Sequence, residues 1–65
     1  MKYQSRLVYN AQKLGYDPLK AIKTYTKYEI EISGFPNKEI NEKHKEAAYQ
    51  RTMKELLVQY NIDNK

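Results

Sequence analysis

The stretch Thr24-Tyr25-Thr26-Lys27-Tyr28-Glu29-Ile30-Glu31-Ile32, "TYTKYEIEI", decides the fold, because it fits two periodicities. With a period of two, Tyr28, Ile30 and Ile32 alternate with Lys27, Glu29 and Glu31, as on a half-buried strand. With a period of 3.6 it continues a helix that opens at Pro18. Leu19, Ala21, Ile22, Tyr25, Tyr28, Ile30 and Ile32 then make a wide apolar face, and Lys20, Lys23 and Lys27 stack opposite it. Just upstream, Asp17 can accept a backbone hydrogen bond as N-cap, and Pro18 suits the first helical position. A lone strand leaves its N–H and C=O groups unpaired unless a second chain supplies the partner. Helix over 18–33 is therefore the preferred reading. The alternative is an α+β domain with a short strand at 26–32, which would itself imply a dimer built on a two-stranded ribbon.

Before this element, Tyr3, Leu7, Ala11 and Leu14 recur at helical spacing with Val8 beside them, so a first helix is expected over about 2–14. Gly15 ends it as a left-handed cap. After it, "ISGFPNKEI" (Ile32 to Ile40) breaks the chain with Gly34 and Pro36. Asn37 is a candidate N-cap for a third helix over about 38–60, which Glu39–Lys43, Arg51–Glu55 and Glu42–Lys45 would support as solvent-exposed pairs. The tail "NIDNK" is expected to fray.

The third helix carries two apolar groups. Ile40, Ala47 and Val58 lie near one direction, and Tyr49, Met53, Leu56, Leu57 and Tyr60 lie nearly opposite. Either one face packs on the first two helices while the other meets a second copy, or a kink near Ala47-Ala48 lets each half use its own face. The expected fold is a single all-α, three-helix domain spanning 1–65 and forming a dimer.

Composition bounds the function. Sixty-five residues make one small domain, which buries a modest share of its surface. Such domains usually need a disulfide, a metal or a partner chain. The chain has no cysteine, and its one histidine, His44, cannot hold a metal alone. Self-association is the remaining staple. The start, "MKYQSRLVYNAQK", is charged and lacks an apolar run, so neither a signal peptide nor a membrane span is expected and the chain reads as cytosolic. Charge is uneven: Met1 to Tyr28 holds six cations (Lys2, Arg6, Lys13, Lys20, Lys23, Lys27) against Asp17, a balance of +5. Glu29 to Lys65 holds six cations against seven anions, a balance of −1. An acidic partner should be drawn to the front half.

The segment around Gly34 resembles the turn of a DNA-binding helix-turn-helix over about a dozen residues, with Phe35 and Ile40 at the apolar positions after the glycine. Two positions depart from that pattern. Ile30 is bulky where a small residue is needed for close crossing, and Lys43 is charged where the second helix should be apolar. Acids at Glu39, Glu42 and Glu46 would also face phosphates at the start of a recognition helix. A plain interhelical corner is the better reading.

The candidate contact set for a partner is Arg6, Tyr9, Lys13, Lys20, Lys23 and Lys27. Tyr9 falls off the apolar face of the first helix, beside Asn10, and so is expected to be exposed. The lysine stripe could contact phosphates or an acidic protein, or could simply keep the domain solvated. The candidate self-association set is Tyr49, Met53, Leu56, Leu57 and Tyr60. Seven tyrosines are many for 65 residues, and tyrosine suits interfaces because it pairs apolar area with a polar tip.

No carboxylate–histidine or Ser/Cys–His pairing stands out, no glycine-rich phosphate loop exists, and little room is expected for a substrate pocket. The expected protein is therefore a non-enzymatic module with no cofactor, metal, small-molecule substrate or membrane contact. It should self-associate and bind a protein partner, with nucleic-acid binding through the basic front half as the alternative. In general character it is similar to accessory proteins carried by mobile elements such as phages, a likeness of type without a shared motif.

Overall fold

The computed structural model describes residues 2–63, and of Lys2 and Asp63 the backbone only. Three helices follow one another: α1 (Lys2–Leu14), α2 (Pro18–Ser33) and α3 (Glu42–Asp63). The molecule measures 41 × 21 × 16 Å, its long dimension set by α3, whose 22 residues span about 33 Å at ~1.5 Å each.

The α1–α2 connection is short because both ends carry their own punctuation. Gly15 takes φ 79° and its N–H reaches the Gln12 carbonyl (3.1 Å), while the Tyr16 N–H reaches the Ala11 carbonyl (2.8 Å). These are the two bonds of a Schellman motif, and they satisfy carbonyls that α1 would otherwise leave open. Asp17 then caps α2, accepting from the Leu19 N–H at 2.9 Å, with Pro18 as the first helical residue.

The ambiguous stretch is helical throughout. A helix places Tyr28 and Ile32 on one face, one turn apart, and turns Ile30 away from them. Tyr28 and Ile32 pack on the core, whereas Ile30 is 41% exposed. Leu19 also leaves the apolar face expected for it, at 71% exposed. Among the described residues no strand exists to pair with 26–32, so the helix is what satisfies that backbone. Gly34 at φ 82° closes α2, donating to the Ile30 carbonyl at 3.0 Å. The buried Ser33 hydroxyl donates back to the Glu29 carbonyl (2.6 Å) and accepts from the Phe35 N–H (3.1 Å).

The third helix starts later than its sequence suggests. The Asn37 and Lys38 N–H groups turn back to the Gly34 carbonyl (3.0 and 3.3 Å), so Asn37 belongs to the turn and is not the cap. Asn41 takes that place. Its side-chain oxygen accepts from the His44 N–H (3.0 Å), and its own N–H donates to His44 Nδ1 (3.2 Å). This is a capping box with histidine in the usual Glu/Gln position. We expect Asn41→Ala to cost about 1 kcal/mol and to lower the thermal midpoint by roughly 4–8 °C. Asn37→Ala should leave the midpoint unchanged; calorimetry on the two variants separates the assignments. The connection from Gly34 to Asn41 is an interhelical corner, longer than the three or four residues of a helix-turn-helix. At the other end, α3 continues through Asn61 to Asp63, while the remainder of the expected fraying tail, Asn64 and Lys65, lies outside the described residues.

Leu7, Tyr25 and Ala48, one from each helix, form the centre of the core, and Tyr3, Ile22, Tyr28, Ile32, Tyr49, Met53 and Leu56 pack around it. Thr52 is fully buried too, its hydroxyl donating to the Ala48 carbonyl at 2.7 Å. Burial pushes the Tyr25 hydroxyl above its ordinary pKa of 10.0, and the neighbouring Glu29 carboxylate pushes in the same direction. A group whose folded pKa is raised contributes stability in full below its unfolded value and loses it as pH rises through the folded one. Urea midpoints should therefore be lost progressively above about pH 10, the ordinary tyrosine value. Tyr25→Phe should remove part of that fall while leaving behaviour near neutrality little changed.

Candidate interaction surfaces

On α1, Arg6, Tyr9 and Lys13 fall three and four residues apart and form one exposed row. Tyr9 is 61% exposed, and the Lys13 ammonium sits 5.3 Å from its ring centroid. On α2, Lys20, Lys23 and Lys27 repeat the same spacing and are all exposed. Among the described residues no carboxylate pairs with any of these five cations; the ion pair present is Lys45–Glu42 at 3.7 Å.

Cations in the second half are differently placed. Arg51 lies 4.9 Å over the Tyr28 ring, and Glu55 accepts a hydrogen bond from the Tyr28 hydroxyl. That bond, first, and the carboxylate's charge hold the Tyr28 phenol above its ordinary pKa, with Arg51 opposing. Arg51 and Glu55 thus serve an α2–α3 contact through Tyr28. Glu39 lies outside α3 and cannot form the helical pair with Lys43.

One face of α3 packs on the first two helices, and it is the group named above for self-association. Of the five residues reserved for a second copy, Tyr49, Met53 and Leu56 pack on the intrachain core and Tyr60 is half-buried. Leu57 is 47% exposed. Ala47 and Val58, from the opposite group, are exposed, Val58 at 52%, and Ile62 one turn later at 62%. The helix has no break near Ala47-Ala48. The reason is close approach: Ala48 and Thr52 are small, so α3 meets its neighbours along them and the larger side chains pack to one flank.

Two features escape the sequence reading. Asn10 is half-buried and donates to the Tyr49 hydroxyl (3.1 Å) and to Met53 Sδ (3.5 Å), tying α1 to α3. Tyr49 also stacks at a tilt on Tyr3, centroids 5.6 Å apart. Second, a groove of about 610 Å³ runs between the start of α2 and the second half of α3, where little room was expected. Ala21, Thr24 and Thr52 are among its small lining residues, Lys20 stands on the α2 side, and Glu55 and Val58 on the α3 side. An amide at position 10 and small residues at one-turn spacing are the sequence signals that could have pointed to both.

His44 is engaged in the α3 cap. Among the described residues no group of three His, Cys, Asp or Glu side chains could hold a metal ion, and no helix is long and apolar enough to cross a membrane. Comparison with family models, curated proteins and solved structures finds no match for the chain.

Proposed function

We propose that the protein is a non-enzymatic interaction module that self-associates through apolar surface and presents the basic rows of α1 and α2 to an acidic surface on a protein partner. The observation that carries this reading is the distribution of apolar side chains. Among the described residues, seven large ones stand exposed: Tyr9, Leu19, Ile30, Phe35, Leu57, Val58 and Ile62. The fully buried set is Leu7, Ala11, Ala21, Tyr25 and Ala48, of which three are alanine. So thin a core, without a disulfide, leaves a domain of this size near the edge of stability. Burying some of the exposed set against a second copy supplies the missing area. Sedimentation at micromolar concentration is expected to give twice the 7.8 kDa chain mass, with a thermal midpoint that rises with concentration. A 7.8 kDa species at every concentration overturns the self-association.

The partner side of the reading is supported by five outward cations that, among the described residues, pair with no carboxylate. Nucleic acid is the second reading, and Tyr9 favours it: an exposed ring flanked by Arg6 and Lys13 is the arrangement that stacks a base between phosphate contacts. Capture from lysate with and without nuclease separates the two, provided the captured species is lost when Lys20, Lys23 and Lys27 are replaced. Either outcome suits an accessory or regulatory protein of the kind mobile elements carry.

A further inference from the structure

The outer face of α2 carries more than its lysines. At about 100° per residue, Leu19, Thr26 and Ile30 fall within about 40° of one another, on a line some 16 Å long. They lie opposite Ala21, Tyr25 and Ile32, which face the core. Leu19 is 71% exposed, Ile30 is 41% exposed, and Thr26 is exposed between them. Lys20, Lys23 and Lys27 form the adjoining line, about 40–100° further round from Leu19. Among the described residues none of the three pairs with a carboxylate, Glu31 one turn beyond Lys27 included. Lys20, at the far edge, also lines the α2–α3 groove.

We propose that this face docks an acidic amphipathic helix of a protein partner. The partner's apolar residues seat on Leu19 and Ile30, and its carboxylates meet Lys20, Lys23 and Lys27. The proposal rests on the protein-partner reading above and names that partner's chemistry. Charge complementarity supplies the occupant: a row of three cations, free of ion pairs among the described residues, attracts carboxylates. The apolar line decides which kind of anion. Nucleic-acid phosphates would meet the lysines but leave Leu19 and Ile30 in water, since backbone contacts are polar. A helix uses both. Leu19, Lys23, Thr26 and Ile30 follow one another at four, three and four residues, the spacing of a coiled-coil seam. Lys20 and Lys27 share the flanking position, seven residues apart, where paired helices exchange charges. A two-fold contact of this face with itself would instead set lysine against lysine.

Fluorescence anisotropy with a labelled synthetic helical peptide tests the site. The peptide carries leucines at successive seam positions and glutamates along both flanks. A control peptide has the same composition with its leucines scattered round the helix, and a labelled oligo-dT strand probes nucleic acid. The variants are Leu19→Gln/Ile30→Gln and Lys20→Ala/Lys23→Ala/Lys27→Ala, each first checked for native helical content by circular dichroism. Both apolar positions are exposed, and glutamine suits a helix and leaves the net charge unchanged, so the first variant isolates the apolar line. The native chain should bind the patterned peptide and hold the control more weakly. The glutamine pair should weaken patterned-peptide binding about ten- to a hundredfold. The alanine triple should weaken it by one to two orders of magnitude. Equal binding of the two peptides, or patterned-peptide affinity unchanged by the glutamine pair, overturns the site while the acidic-partner reading stands. A glutamine pair that abolishes self-association in sedimentation gives the face to a second copy and also overturns the site. Binding of neither peptide overturns both, and oligo-dT held through the three lysines would then assign the row to nucleic acid.

Discussion

Leu7→Ala is expected to remove most of the folded population of a single chain near ambient temperature. Leu7 is fully buried and meets Tyr25 and Ala48 where the three helices converge. Leucine-to-alanine changes at such sites cost about 3–5 kcal/mol, the lost transfer energy plus the cavity left behind. A domain of 65 residues has roughly 3–10 kcal/mol of stability in all. The loss and the total are thus of one size. Where the variant still folds, a loss of about 3 kcal/mol should lower its midpoint by some 12–25 °C, followed by the helical signal on heating. Ala48, its neighbour in the cluster, is too small to reach into the space. Leu57→Ala is the companion measurement. Leu57 is 47% exposed, and its truncation should stay within about 0.5 kcal/mol. Equal effects at the two positions would mean that α1 does not supply the centre of the core.

The residues that could be read in advance are those whose chemistry acts locally. Gly15, Asp17-Pro18 and Gly34 each set a backbone angle or a cap within a few residues, and the bounds of α1 and α2 follow from them. The start of α3 was expected at Asn37, whereas the cap is Asn41, four residues later. The shift depends on the Asn37 and Lys38 N–H groups being drawn back to Gly34, and no pattern in the sequence announces that. The inward face of α3 was hidden for a similar reason. Hydrophobic spacing favours the largest side chains, whereas the contact line is set by Ala48 and Thr52, over which helices can approach closely. Ile30 shows the reverse error: an apolar residue assigned inward because it is apolar, turned outward because it sits two residues from both Tyr28 and Ile32. The exposure of Tyr9 and of the lysine stripe was legible, because polar spacing on a helix needs no partner to be read.

Replacing Lys20, Lys23 and Lys27 together with alanine is expected to weaken partner binding by one to two orders of magnitude, with helical content unchanged. These side chains are exposed and form no ion pair with a carboxylate among the described residues. Their removal therefore breaks no ion pair among the described residues, and alanine favours the helix. An exposed cation meeting an acidic group contributes about 0.2–1 kcal/mol, and three on one row act on the same partner surface. The salt dependence then identifies that surface. If the partner is nucleic acid, each lost phosphate contact lowers the slope of log K against log salt by about 0.9 for a duplex or 0.7 for a single strand. The triple variant should then lose between two and three units of slope. Tyr9→Ala should add a further loss of about 1–3 kcal/mol for a single strand, through the base it no longer stacks, and little for a duplex. If the partner is an acidic protein, the same triple change acts mainly on the association rate, and nuclease leaves the complex intact. Binding and salt slope that survive the triple replacement would place the contact elsewhere, and leave the α2 row as the solvated side of the helix.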